Sequence, residues 1–542
     1  MKHLSIISYY IIALFSLNLC FAEETYNLEI LFRCTGWASY PDLHVFGIAL
    51  AGGDVNGDGY SDIAVEATHY VEYNENFGID VYVFFGEPVM DTIYDAVLHC
   101  PEHLGHSPSG LCISDVNGDS IGDVIVGDYG GGGHNGEVFV FFGGLPFDTI
   151  ADLHLVGETS ASSFGRAVAA GDVNGDGCDD IIVGAYAYNF VELDGRVYVY
   201  YGGSLLDSIP DIVLDGHDGE AFGKSVGSGG DLNSDGYEDL VVGADENHEA
   251  YWGAGKIYVF FGGDPMDTLP DCWLHGEGFN HFLGWFGCDI MEVDNDHDLM
   301  ITGTSEYPNG WPGHNPGKTY ILYGGDPMDT LPDAWMIGQA DTFSLGMWCC
   351  SAGDVNGDGF EDAVVGAPHR RNGLGTGYVW LGGMPMDTIV DAYLCGGFAP
   401  QQIGWEVASA GDVNGDSYDD VIFSNYAGAD PAVWICKYTG TAVTERMTYS
   451  IAPAAKFTIY PNPFSRQLTI GFEKVLTAYS IVPSIHFYDV TGREVMSYVV
   501  ADNTDNNQRN IIVDTRNLPT GVYFVDVQAG EMRITHKVIK IE

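Results

Sequence analysis

The stretch Phe164-Gly165, followed by Gly171-Asp-Val-Asn-Gly-Asp-Gly-Cys-Asp-Asp180, Ile181-Ile-Val-Gly-Ala185 and Gly195-Arg-Val-Tyr-Val-Tyr-Tyr-Gly-Gly203, decides the fold, because the chain repeats it roughly every sixty residues. Its acidic loop begins again at Asp54, Asp115, Asp231, Asp354 and Asp412, and a degenerate seventh copy, Asp294-Asn-Asp-His-Asp298, follows Phe286-Gly287. Seven short units in series mark an architecture in which each unit buries its faces against its neighbours. Within one unit, Ala167 to Ala170, Ile181 to Val183, the Val-Tyr-Val-Tyr run and Asp211 to Leu214 each suit a short strand, and no segment keeps a helical period. Four short strands per unit predict a propeller blade, hence an all-β, seven-bladed β-propeller over residues 26–440.

Counting strands predicts how the ring closes. The last unit supplies Val407 to Ala410, Asp420 to Phe423 and Ala432 to Lys437 but lacks a Leu-rich closing strand. The N-terminus carries an orphan strand of that type, Asn27-Leu-Glu-Ile-Leu31, which is expected to complete the seventh blade. An open solenoid would need polar caps at both ends, and the sequence shows none.

The loops carry the chemistry. Asp-x-Asn-x-Asp-Gly-x-x-Asp places side-chain oxygens at positions 1, 3, 5 and 9 and a main-chain carbonyl at position 7, a hard donor set suited to calcium. The candidate ligands are Asp54, Asn56, Asp58, Tyr60 and Asp62; Asp115, Asn117, Asp119, Ile121 and Asp123; Asp172, Asn174, Asp176, Cys178 and Asp180. The later loops add Asp231, Asn233, Asp235, Tyr237 and Asp239; Asp354, Asn356, Asp358, Phe360 and Asp362; Asp412, Asn414, Asp416, Tyr418 and Asp420. About six structural calcium ions are therefore expected. Position 6 should adopt a left-handed conformation, which glycine permits and which Ser120 and Ser417 should weaken modestly. An EF-hand, or a dockerin built on one, needs a bidentate Glu at position 12 between helices, whereas that position holds Val65, Val126, Val183, Val242, Val365 or Phe423 in apolar runs. A metal-free cluster of Asx turns is the plainer alternative, and six near-identical loops argue against it. Asp294 to Asp298 lacks the glycine and two residues of spacing, so no site is expected there.

Charge follows the same division. The formal net charge is -57, yet the segment from Arg446 holds ten basic and nine acidic residues, leaving ten basic and sixty-eight acidic before it. So acidic a body repels phosphate backbones and anionic lipid surfaces, which argues against nucleic acid or membrane as partner and for cations. Met1-Lys2-His3, the apolar run Leu4 to Leu19 and Cys20-Phe21-Ala22 read as a signal peptide over residues 1–22. A lipid anchor on Cys20 is the rival, disfavoured by Leu19 where such signals prefer a small residue. No second apolar run approaches the roughly 18 residues that span a bilayer, so no transmembrane segment is expected. The remaining ten cysteines show no spacing that reveals disulfide pairs.

The Phe-Gly pair, the Gly-Asp-Val-Asn-Gly-Asp-Gly loop and the apolar strand after it resemble the FG-GAP repeat, best known from the propeller of integrin α subunits, over residues 26 to 440. That resemblance implies structural calcium in the six complete loops. After a linker over residues 441–454, the tail Phe457-Thr-Ile-Tyr-Pro-Asn-Pro-Phe464, Ile485-His-Phe-Tyr-Asp-Val-Thr-Gly-Arg-Glu494 and Asn517-Leu-Pro-Thr-Gly-Val-Tyr-Phe524 resembles a type IX secretion sorting domain over residues 455–542. The family implies Sec export, type IX secretion machinery as a partner, passage through the outer membrane, and a place at the cell surface or outside the cell. Its turns and alternating strands predict a small immunoglobulin-like β-sandwich.

No nucleophile elbow, zinc-type His pair or phosphate loop is present, and the loop carboxylates are committed to ions, so no catalytic residue and no organic cofactor are expected. His369-Arg370-Arg371 is the one compact polar cluster, best explained as a solvated loop, and Cys349-Cys350 as buried thiols. The strand 2–3 loops, opposite the acidic ones, are rich in aromatic and amide groups: Tyr70 to Asn76, Tyr186 to Phe190, Asn247 to Trp252 and Tyr307 to His314. They suit a module that binds an unknown protein or glycan. A secreted polysaccharide hydrolase or lyase and a ligand-free scaffold are the alternatives.

Overall fold

The computed structural model describes residues 24–35, 43–71, 76–100, 110–130, 135–159, 162–189, 193–278, 281–285, 287–291, 298–303, 317–325, 328, 332, 334–338, 344–383, 389–397, 401–425, 431–440, 456–460, 467–473, 484–488, 493–499, 510–529 and 532–540. Residues 1–22, read above as a signal peptide, the heart of the degenerate loop (residues 292–297) and residues 441–454, read as a linker, lie outside them. The chain divides into two compact units, Met1–Ala442 and Val443–Glu542.

The first unit is a ring of seven antiparallel sheets. Blade one is Leu43–Gly53, Asp62–Val71, Asn76–Phe84 and Ala96–His99; blade two is Leu111–Ser114, Asp123–Asp128, Glu137–Phe141 and Leu153–Val156. Blade three is Ala167–Gly171, Asp180–Gly184, Arg196–Tyr200 and Ile212–Asp215; blade four is Phe222–Gly227, Leu240–Ala244, Lys256–Phe260 and Cys272–His275. Cys288–Met291, Asp298–Gly303, Lys318–Leu322 and Ala334–Ile337 form blade five, and Cys349–Gly353, Asp362–Ala367, Thr376–Trp380 and Ala392–Cys395 form blade six. Blade seven has Val407–Gly411, Asp420–Ser424 and Ala432–Tyr438. First strands touch first strands around the whole ring, so they surround the axis. The apolar core lies between blades: Phe164, Tyr198 and Val183 of blade three pack against Ile125 and Val138 of blade two, and the same pattern recurs along the ring. Second strands are buried on both faces, which is why they read as unbroken apolar runs.

The ring closes through the N-terminus. Leu28–Thr35 pairs antiparallel with Ala432–Tyr438 and completes blade seven, ending four residues beyond the sequence expectation and with a bulge between Ile30 and Phe32. Phe32 and Cys34 thereby enter the core between blades seven and one, with Phe32 edge-on to Phe84 at 5.3 Å. The chain does more than the strand count anticipates, because Glu24–Tyr26 adds a fifth strand to blade six. Asn27, at φ 53°, turns the chain from one blade to the other. Its side chain donates to the Asp391 carbonyl at 2.8 Å, and its carbonyl accepts from Thr439 N–H at 2.9 Å. One short segment thus joins blades six and seven.

Two further expectations are corrected. In blade five the residue pair that hooks onto the preceding blade is Leu283-Gly284, three residues before Phe286-Gly287. Leu283 bridges to Gly255 as Phe222 bridges to Gly195, and Gly284 has the φ of 83° found at Gly165. His369-Arg370 is no solvated loop: a single helical turn, Arg370–Gly373, tucks the guanidinium inward, where it donates to Thr376 Oγ1 at 3.0 Å and lies over Tyr378. All ten cysteines after Cys20 are free thiols, and burial raises Cys350 well above the ordinary thiol range.

The second unit contains two antiparallel sheets. One pairs Lys456–Tyr460, Gln467–Glu473 and Asn510–Asp514; the other runs Glu494–Val499, Ser484–Tyr488, Gly521–Ala529 and Met532–Lys540. Tyr523 Oη donates to the Pro519 carbonyl at 2.7 Å, fixing the Pro519-Thr520-Gly521 corner. Among the described residues, no helix is long and apolar enough to cross a membrane.

Candidate functional site

Each complete loop joins the first and second strands of a blade and folds on its own carboxylates. In blade one, Asp54 accepts from the N–H groups of Gly57 (2.7 Å), Asp58 (3.2 Å) and Gly59 (2.9 Å). Asn56 Oδ1 accepts from Asp58 N–H, and Asp58 Oδ1 from Tyr60 N–H, at 2.8 and 2.9 Å. The position 1 contacts recur at Asp115, Asp172, Asp354 and Asp412. Position 6 is left-handed as expected, at φ 90° for Gly59 and 88° for Gly177, and Ser120 and Ser417 hold the same conformation at 68° and 70°.

Position 9 is the buried end of the loop. Asp62, Asp123, Asp180, Asp239, Asp362 and Asp420 are all fully buried. Asp62 Oδ2 accepts from Val55 N–H at 2.9 Å and Oδ1 from Gly86 N–H at 2.8 Å, so one carboxylate ties the loop to the end of the third strand. Burial raises Asp62, Asp123, Asp180, Asp239 and Asp420 to about 7 and Asp362 to about 8, and the carboxylates at positions 1 and 5 push in the same direction. A buried carboxyl raised by the charge of two others in the same loop, with an asparagine and a main-chain carbonyl beside them, is what a hard cation relieves. The donor chemistry therefore fits calcium: the position 1, 3, 5 and 9 side chains and the position 7 carbonyl would hold it. Among the described residues no three acidic, His or Cys side chains converge on one point, and the carboxylates at positions 1 and 5 face the loop's own N–H groups.

The loops also latch the blades together, which sequence reading missed. Position 8 N–H donates to the position 1 carbonyl of the preceding blade: Gly122 to Asp54, Asp179 to Asp115, Glu238 to Asp172, Asp419 to Asp354 and, across the seam, Ser61 to Asp412, at 2.8–3.2 Å. In return Glu238 Oε2 accepts from Asp172 N–H at 3.0 Å and Asp419 Oδ2 from Asp354 N–H at 2.8 Å. The recurring acid at position 8 (Asp179, Glu238, Glu361, Asp419) was the available signal. On the opposite face, Tyr251 and Trp252 are exposed, with Trp252 against His248, while Asn247 is buried and donates to Glu220 at 2.7 Å. Residues 72–75, 190 and 304–316 of the other aromatic loops lie outside the described residues.

Comparison with known proteins agrees with this architecture. The FG-GAP repeat matches residues 46–82, 164–200, 222–260 and 351–381, in blades one, three, four and six. A secretion system C-terminal sorting domain matches residues 458–542. Integrin alpha-5 of Xenopus laevis is 31% identical over 267 residues, covering 47% of this chain and 24% of that one. Integrin alpha-3 of Mus musculus is 33% identical over 189 residues, 32% of this chain and 17% of its own. Integrin alpha-6 of Gallus gallus is 39% identical over 158 residues, 28% and 14% of the two chains. The chain thus spans a quarter or less of the length of these relatives. It carries an integrin-α-like FG-GAP propeller followed by a type IX sorting domain, which directs it to the cell surface or the extracellular space.

Proposed function

We propose that the propeller is a calcium-loaded binding or adhesion module for a protein or glycan, displayed or released after export, and that the tail is its address rather than part of its working surface. The observation that carries the calcium is the buried position 9 aspartate, raised to about 7 or 8 beside two further carboxylates in each of six loops. Calcium there is structural: it neutralises the carboxylates and stiffens loops that already bond to the next blade. The resemblance to integrin α chains favours binding over turnover. The face away from the loops offers exposed Tyr251 and Trp252 on a rigid disc, amphipathic groups suited to protein or sugar surfaces. The test is a glycan and protein array probed with the propeller in calcium and in chelator, with the ion count measured by calorimetry. Calcium-dependent capture of one ligand class, lost on replacing Trp252 by Ala, is expected. Absence of calcium uptake overturns the metal reading, and absence of any captured class overturns the binding reading.

A further inference from the structure

The beginnings of the first strands line a half-open cavity of about 120 Å³ on the axis, nearest the Phe-Gly ends and away from the acidic loops. Arg166, Lys224, Glu406 and Trp348 are prominent in its wall. In a chain of charge -57 the placement of cations is informative. Arg196 is paired with Glu158 and Asp215, Lys256 with Glu249, Lys318 with Glu277 and Lys437 with Glu29. Arg166 and Lys224 differ. Among the described residues neither has a carboxylate at ion-pair distance; Arg166 lies 5.8 Å from the ring centre of Tyr129 and Lys224 Nζ 3.6 Å from that of Tyr186. Such contacts orient a cation without neutralising it.

Opposite charge is near but not in contact. Asp245 is almost fully buried, and its Oδ1 has no hydrogen-bond partner among the described residues; the same holds for Glu406 Oε2. Burial raises Glu406 well above the ordinary carboxylate range, against the field of Arg166, and raises Asp245 to about 7, against that of Lys224. Two cations in the wall of a space for roughly four waters, at about 30 Å³ each, are a donor set for one anionic group. A planar two-oxygen group matches the guanidinium fork of Arg166.

We propose that this axial cavity binds a carboxylate, held by Arg166 and Lys224 and supplied by a small organic acid or by the acidic side chain of a peptide. The site uses none of the acidic loops, so it stands or falls apart from the calcium reading. The full chain, in calcium, is titrated with 13C-labelled acetate by NMR and, in a second arm, with an end-blocked peptide bearing a single Asp by calorimetry. Binding in either arm identifies the source. It should weaken by about tenfold or more in Arg166→Met/Lys224→Met and should not weaken in Glu406→Gln, which takes an ionisable carboxyl out of the cavity wall. Melting curves check that each variant is folded, and Lys318→Met, a paired cation away from the cavity, should bind like the parent. Failure of the parent to bind either probe, equal binding by the folded double variant, or binding of inorganic phosphate in place of both carboxylates overturns the proposal.

Discussion

The ring of Tyr237 covers Gly175 across the boundary between blades three and four, so closely that a Cβ on the glycine would stand 2.7 Å from the tyrosine Cε1. The same cover recurs around the ring, with Ile121 on Gly57, Cys178 on Gly118, Tyr418 on Gly357 and Tyr60 on Gly415. Position 7 of one loop therefore packs on position 4 of the loop before it. The exception explains itself: position 4 of blade four is Ser234, held at φ 60°, and the following repeat is the truncated Asp294 to Asp298 copy that has no position 7.

Gly175→Ala and Gly177→Ala separate packing from backbone strain. Both glycines are left-handed, at φ 75° and 88°, but nothing lies within 4 Å of a Cβ on Gly177. Gly177→Ala should cost about 1–2 kcal/mol, the left-handed penalty alone. Gly175→Ala should cost at least about 1 kcal/mol more, because Tyr237 must move. Urea denaturation of both variants measures the difference; equal losses would show that Tyr237 imposes nothing.

Calcium should reverse a pH dependence. Without metal, Asp62 and its five counterparts rise in the folded state from an ordinary 3.8 to about 7 or 8. Between those values the folded chain binds more protons than the unfolded one, so in chelator stability should fall as pH climbs from about 4 to about 7. Calcium takes the place of the protons, so added calcium should raise the melting temperature most near neutral pH. Melting curves across that range, with and without chelator, give the answer; a flat response to calcium at pH 7 contradicts it.

Stoichiometry tests the individual loops. Asp176→Ala should remove one calcium from the total and loosen blade three. Asp296→Ala, in the truncated copy outside the described residues, should change the count little. Calorimetric titration of the two variants against the parent reads both numbers.

The seam is tested at Phe32. Its ring is buried against Phe84, whereas Leu31, part-buried, falls at the bulge. Phe32→Ala should cost about 3–5 kcal/mol and Leu31→Asp less. Deleting residues 23–32 should expose the edge of Ala432–Tyr438 and promote association. Thermal melting with light scattering checks this. Parent-like behaviour of all three would mean that the ring holds without its N-terminal strand.

The sorting tail should be dispensable for folding and needed for delivery. Truncation after Gly440 should leave a folded propeller in the periplasm of a host with the type IX pathway. Fractionation of the host reads the location, and efficient arrival of truncated protein at the outer surface contradicts the assignment.

By itself the sequence determined the blade number, the strand content of each blade, the seam and the place of the acidic loops, because all of these are local: a period of about sixty residues, alternation within strands, and carboxylates at fixed spacing. Even the closing strand could be found by counting, since a four-stranded blade missing one member leaves a single candidate of the right composition. Only the tertiary structure decided the contacts made across blade boundaries. That Glu24–Tyr26 joins blade six, that Leu283-Gly284 bridges to blade four, and that position 7 side chains dictate glycine at position 4 all depend on residues roughly thirty, sixty or several hundred apart in the chain. The axial pair Arg166 and Lys224 is of the same kind, for one stands just before a first strand and the other within one, and they share a cavity wall with Glu406 only when seven first strands converge on one axis.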